Sequence, residues 1–390
     1  MHTSPPLAKN DAARVAPIRF SRDARAAASD GTRGPVQMLS ALGEARRVLP
    51  HPNGWFAVGF SHEVQRGTVR ILKLMDRDLV AYRTQDGTLH VVEPYCPHMG
   101  AHLGHGGRVE GNDLVCPYHH LAFGPDGHCV RAGHGGTPPR AALTGRHVRE
   151  PNGVIMVWVH HGGLAPDREP PTYELGAHCP PVYECRQMFG NFQNGGENSV
   201  DLVHFDTIHR FMKPEISIQV VDNVLEVDLS GYWKGYRFHG SFRNHDAGNQ
   251  YADFSLPDFG IVFRTPAYCT PTTLFEWQLR WVSVPQIQRV DRWAVPLRTL
   301  FYAALRPVVR IWINRVLDQD YSIWKNRSYS ARPRYMADDR HIAAYERWAT
   351  QFYTNDRPVP DARPSSPQQG AAQAEGNGVE RAAGCHASGG

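Results

Sequence analysis

The stretch CPHMGAHLGHGGRVEGNDLVCPYHH, residues 96–120, contains two mixed pairs of metal-ligating side chains, Cys96-x-His98 and Cys116-x-x-His119, with seventeen residues between them. Structural zinc sites more often group their ligands by type, as C-x₂₋₄-C and H-x₃₋₅-H. One thiolate and one imidazole per loop suits a [2Fe–2S] centre in which one iron takes two cysteines and the other two histidines. Two loops that each give one ligand to each iron clamp such a cluster from opposite sides. Pro97 and Pro117 stiffen the loops behind the cysteines, and four glycines between 100 and 107 permit tight turns. Zinc held by the same four side chains is the alternative. His102, His105 and His120 read as surface or supporting residues, and Cys129 as a small buried one.

A one-electron cluster does no substrate chemistry by itself, so a second centre is sought. In NFQNGGENSVDLVHFDTIHRF (191–211), Glu197, Asp201 and His204 are spaced by four and three, which places them on one face of a helix. His209 lies five residues past His204, about 140° round a regular helix. The two can share a metal only if the helix ends or bulges between them, and two unrelated helix histidines are the other reading. A third ligand is available in RIWINRVLDQDYSIWKNRSY, helical by pattern, with an apolar stripe of Ile313, Val316, Leu317, Ile323 and Trp324. Asp320 stands on that stripe, whereas Asp318 lies about 200° away and faces solvent. A carboxylate pointing into a core needs a cation or a dense hydrogen-bond set. Two histidines and one carboxylate on one face hold ferrous iron in non-haem oxygenases. An ion pair between Asp320 and an arginine such as Arg315 is the competing account.

The elements that must position these residues change once along the chain. Residues 50–160 alternate short β-rich runs (GWFAVGF, TVRILKL, DLVAYR, LHVVE, GVIMVWV) with glycine-containing turns, which predicts a small all-β domain. After a Pro/Gly-rich connector, residues 175–356 mix a helical stretch near 195–210, strands (NVLEVDLSGYW, YRFHGSFR, FGIVFRTP, TLFEWQLRWVSV) and long helices after 293. The α+β reading is an antiparallel sheet with helices on one face. Residues 1–45 read as a flexible arm. Residues 357–390 carry almost no large apolar side chains and read as a disordered tail, where Cys385 and His386 play no metal role.

Taken together, C-x-H/C-x₂-H at 96–119, E-N-x-x-D-x-x-H-x₄-H at 197–209 and the carboxylate in QDYSIW resemble the oxygenase component of Rieske non-haem iron oxygenases over about residues 50–355. Neither cluster loop has the extra cysteine of respiratory Rieske proteins. The resemblance implies an all-β Rieske domain followed by a helix-grip catalytic domain. It also implies a [2Fe–2S] cluster on Cys96, His98, Cys116 and His119, and a mononuclear Fe(II) on His204, His209 and Asp320. In the family a head-to-tail homotrimer sets one subunit's cluster beside its neighbour's iron. Asp201 matches the aspartate that bridges His204 and the neighbour's His119, and a helix-surface acid is its plainer reading. Electrons then come singly from a separate NAD(P)H-dependent ferredoxin/flavin reductase, and O₂ is used to oxidise a small hydrophobic substrate. The ending IWKNRSYSARPRYMADDRHIAAYERWATQFY resembles the ketosteroid-hydroxylase and cholesterol-desaturase branch, with Arg327 in place of that branch's lysine. CPYHH is similar also to a group that oxidises arylamines or tailors antibiotics.

Bulk properties agree with this picture. No G-x-G-x-x-G follows a strand, so nicotinamide belongs to a partner. A net charge of +4 over 390 residues argues against nucleic acid, and seven scattered cysteines point to a reducing, cytoplasmic setting. No run of about 18 uncharged apolar residues is present. The basic, apolar segment 293–315 is either a buried helix with snorkelling arginines or a peripheral membrane contact. A pure Rieske electron carrier is the rival of another class, and it leaves the His/His/Asp set unexplained.

Overall fold

The computed structural model describes residues 51–176, 178–327 and 333–353, so the arm, the tail and Cys385/His386 lie outside the described residues. Ten short strands come first: β1 (Gly54–Phe60), β2 (Val69–Leu74), β3 (Arg77–Arg83), β4 (Leu89–Val92), β5 (Arg108–Glu110), β6 (Asp113–Val115), β7 (Ala122–Phe123), β8 (Cys129–Arg131), β9 (Val148–Arg149) and β10 (Val154–Val159). They form three antiparallel sheets, ordered β1-β10-β9, β2-β3-β4 and β5-β6-β7-β8. The segments joining β4 to β5 and β6 to β7 carry the two Cys/His pairs.

Seven longer strands follow: β11 (Val182–Phe189), β12 (Met212–Val221), β13 (Val224–Trp233), β14 (Tyr236–Asn244), β15 (Asn249–Leu256), β16 (Ile261–Pro271) and β17 (Glu276–Ile287). They make one antiparallel sheet, ordered β11-β17-β16-β15-β14-β13-β12. The helices are α1 (Asn194–Glu197), α2 (Leu202–Thr207), α3 (Gln288–Asp291), α4 (Val295–Trp324) and α5 (Arg340–Ala349). The α+β helix-grip expectation holds.

Side chains alternate across this sheet, as period-two pleating requires. On one face Leu279 and Trp281 of β17, Ala267 and Cys269 of β16, and Ala252 and Phe254 of β15 pack towards α4 and α5. On the other face Tyr268 and Val282 meet Trp55, Ala57, Val154 and Met156 of β1 and β10. A bulge at Val58 in β1 leaves carbonyls free for this contact. Buried Arg280 donates from Nη1 to the Ala57 carbonyl and from Nη2 to the Val58 carbonyl, both at 2.9 Å, while Thr270 Oγ1 donates to Ala57 at 2.7 Å. Arg280→Met strips donors from two buried carbonyls, and denaturant melts should show a loss of about 2–4 kcal/mol.

One expectation needs correction and another is narrowed. The single helix near 195–210 is two short helices separated by residues 198–201, because Asp201 adopts extended backbone and starts α2 afresh. Of the two readings of segment 293–315, a buried helix or a peripheral membrane contact, burial holds on one face only: Tyr302 and Val309 are buried, whereas Leu297, Leu300, Val308 and Ile311 of α4 are all more than half exposed. Among the described residues no helix is long and apolar enough to cross a membrane.

Candidate metal centres and the cavity beside them

The two cluster loops are built alike. The Cys96 amide donates to the Ala101 carbonyl and the Cys116 amide to the Leu121 carbonyl, each five residues on and each at 2.9 Å. Each loop thereby folds back on itself and turns its cysteine inward. Cys96 and Cys116 sit in one buried cluster with Leu103, Leu114 and Phe123, and their side chains share a hydrogen bond. Burial and that bond push the Cys96 thiol up to about 11, although its loop amides pull the other way. A bound cation is what turns such buried thiols into thiolates. The His98 and His119 rings lie at the surface end, with centroids 4.8 Å apart. Inner sulfurs and outer imidazoles suit a cluster with one thiolate-bound and one imidazole-bound iron.

Two close approaches hold the loops. Gly107 lies so near the Leu103 carbonyl that a Cβ would sit 2.0 Å from it, and a Cβ on Gly133 would meet the His119 carbonyl at 2.5 Å. His102 is a supporting residue: its Nδ1 accepts from the Gly104 amide at 3.1 Å and its Nε2 lies 3.4 Å from Asp78 of β3. His105 and His120 are exposed, as expected, whereas Cys129 is half-buried rather than buried.

The second centre gathers His204, His209 and Asp320, whose ligand atoms all lie within 4.8 Å of one another. Helix α2 ends at Thr207. The His209 amide then bonds the His204 carbonyl five residues back, and Arg210 enters the left-handed region at φ 58°. This wide π-type turn brings the fifth residue round to the face of the first. Asp320 Oδ1 is 3.7 Å from His204 Nε2 and 3.3 Å from His209 Nε2. The other nitrogen of each ring is already engaged: His204 Nδ1 donates to the Asp201 carbonyl at 2.9 Å, and His209 Nδ1 to Gln319 Oε1 at 3.0 Å. Both lone pairs therefore point at one spot, and His204 Nε2 is buried there with no hydrogen-bond partner. An orphaned imidazole nitrogen opposite a carboxylate fits a divalent metal. Asp320 faces the two histidines, so the ion pair to Arg315 is not formed, while Asp318 is exposed and bonds Arg186 at 2.6 Å.

Burial lowers the His204 pKa despite the Asp201 carbonyl and the Asp320 charge. His209 is also desolvated, but its closer hydrogen bond to Asp320 and that carboxylate's charge leave its pKa raised. Metal must displace that proton. Iron uptake by metal-free protein should therefore weaken as pH falls below the raised His209 pKa, which a chelator competition across pH would read. The opposite pH trend would contradict this arrangement.

Asp201 departs from the expected contact. Its carboxylate caps α2, with Oδ1 accepting from the His204 amide at 3.1 Å, and its carbonyl, not its side chain, holds the His204 ring. Glu197 belongs to α1 and lies 3.4 Å from Arg327, which also reaches Asn194. The longer guanidinium thus fastens the end of α4 to α1.

The metal-ligand spot opens on a cavity of about 550 Å³. Comparisons with known proteins match residues 54–139 to the Rieske [2Fe-2S] domain and residues 304–353 to the 3-ketosteroid 9alpha-hydroxylase C-terminal domain. The chain carries a Rieske [2Fe-2S] domain. It is 28% identical to a cholesterol 7-desaturase nvd of Xenopus laevis, over 79% of this chain and 73% of that protein. It is 25% identical to a probable 3-ketosteroid-9-alpha-monooxygenase oxygenase component of Rhodococcus rhodochrous, over 80% and 82%. Among solved structures, dicamba monooxygenase with 3,6-dichlorosalicylic acid shares the fold at TM-score 0.62 and 19% identity, covering 77% of this chain and 97% of that one.

The sequence pointed to the roof of this cavity through the apolar stripe around Asp320 but to none of its sheet walls. The walls come from Phe238 and Phe242 of β14, Ala252 and Phe254 of β15, and Phe263 and Thr265 of β16, paired in register as Phe254↔Phe263 and Ala252↔Thr265. The roof is the stripe Trp312, Ile313, Val316, Leu317, Asp320 and Trp324 of α4. Ile323, expected on that stripe, is instead 46% exposed. Alternation within each strand was the usable signal, but it does not say which of the two faces is the cavity face.

Proposed function

We propose that this chain is the oxygenase component of a monooxygenase that hydroxylates or desaturates a bulky, apolar, steroid-like compound. Residues 50–160 would form the cluster domain, with Cys96, His98, Cys116 and His119 holding the [2Fe–2S] group. Residues 175–356 would form the catalytic domain, with His204, His209 and Asp320 holding Fe(II). The observation carrying this reading is the unpartnered His204 Nε2, aimed with His209 and Asp320 at the end of an aromatic cavity. Ferrous iron bound there would supply O₂ activation, driven by electrons from the cluster.

The chain's own residues do the rest. The Asp201 carbonyl and Gln319 fix the tautomers of the two imidazoles. Asn198 Nδ2 lies 3.4 Å from Asp320 Oδ2 and restrains the far oxygen of the carboxylate. Phenylalanine and tryptophan walls exclude water and set an apolar skeleton against the metal-ligand spot. Volume and apolar lining favour a fused-ring substrate over a small arylamine, and the two relatives named above are steroid-directed by name. The exposed rims of the cluster loops (Tyr95, Met99 and Tyr118, each at least 60% exposed) suit docking of a separate ferredoxin or flavin reductase, or of the neighbour in a homotrimer. Asp201 would then carry electrons from the neighbour's cluster to His204. The cytoplasm is the compartment this reading favours.

The test supplies a surrogate reductase and screens sterols, 3-ketosteroids and arylamines by product mass. Gain of one oxygen or loss of two hydrogens on a fused-ring compound is the expected result. Conversion of arylamines alone would overturn the substrate class.

A further inference from the structure

Helix α4 has two apolar faces, and only one is used inside the chain. Tyr302, Val309, Asp320 and Trp324 are buried on the inner face. On the opposite face Leu297, Leu300, Ala304, Val308 and Ile311 recur at spacings of three and four, which aligns them in one stripe. Leu297, Leu300, Val308 and Ile311 are 60, 70, 59 and 54% exposed, and Trp293 just before the helix is 45% exposed. Contiguous exposed apolar side chains of this kind mark a contact surface.

The charge around the stripe says which contact. Residues 288–317 contain six arginines and one acid, Asp291. Asp291 accepts a hydrogen bond from Tyr302 at 2.6 Å, and Arg310 pairs with Glu184 at 2.7 Å. Among the described residues Arg289, Arg292, Arg306 and Arg315 make no ion pair. An apolar stripe flanked by unpaired guanidinium groups, with a tryptophan at its end, is the pattern of a helix lying in an anionic lipid surface.

We propose that the outer face of α4 docks this enzyme onto an anionic membrane surface. The same helix roofs the cavity with Trp312, Ile313 and Val316, and Trp312 is itself 40% exposed. Docking therefore sets the cavity roof at the lipid boundary, where a sterol-like substrate resides. That delivery role rests on the substrate reading above; the docking itself does not.

Full-chain holoprotein is floated with vesicles of phosphatidylcholine alone and of an equal mixture with phosphatidylserine. Binding is expected to the mixed vesicles only, and to weaken at high salt. Leu300→Glu with Val308→Glu should cut the bound fraction at least about tenfold with helix content and visible absorption unchanged. Arg289→Gln with Arg292→Gln should remove the preference for anionic lipid. Absence of binding by the unaltered protein overturns the proposal, as does a double-glutamate variant that binds undiminished. A double-glutamate change in molecular mass by light scattering, without vesicle binding by the unaltered protein, would give this face to a second copy of the chain. None of these readouts uses substrate, so failure of the steroid reading leaves them interpretable.

Discussion

Asp201→Asn should keep its full iron content and an unchanged cluster signal while turnover falls about 100-fold or more. Two features separate this expectation from a purely structural role. The Asp201 carbonyl, which holds His204 Nδ1, is untouched by the substitution. Asparagine caps helices as well as aspartate does, so the bond to the His204 amide survives as well. What disappears is the negative charge, the property an electron-relaying bridge between imidazoles requires. Asp201→Ala is the companion variant, since it also loses the cap at about 1 kcal/mol. If the side chain were only a cap, asparagine would behave like the native residue and alanine alone would suffer. Stopped-flow reoxidation of the reduced cluster in the presence of substrate reads the transfer directly.

Replacing His204 and Asp320 together with alanine should lower iron from about three to about two atoms per chain and abolish turnover. Both positions are buried, and Asp320 lies within 4 Å of both imidazoles, so two of the three ligands go at once. Among the described residues His209 then has no other member of the set with which to hold a metal. The cluster loops pack in a separate hydrophobic cluster from the α4 contacts, so their absorption spectrum should be unaffected. Iron content that stays at the native level in this variant would mean the metal sits elsewhere.

The candidate metal ligands were legible in the sequence because ligand type and spacing are local. The turn that unites His204 and His209 was legible as a condition, since a regular helix cannot bring positions five apart together; the wide turn and left-handed Arg210 satisfy it. The break at Asp201 was not foreseen, because a capping aspartate and a mid-helix aspartate share the same neighbours in sequence. Strand β12 was not among the predicted strands; it is an edge strand with a bulge at Pro214, where proline is tolerated. The exposed outer face of α4 was legible only as one of two alternatives, because a helix apolar on two faces fits a buried position and a surface contact equally until its neighbours are known.

Iron counting combined with paramagnetic resonance on dithionite-reduced protein bears most directly on the central claim. The account predicts about three irons per chain, two of them in a Rieske-type signal and the third outside it, lost with His204 and Asp320 and sensitive to nitric oxide. Only two irons, all in the cluster signal, would make the chain an electron carrier and contradict it.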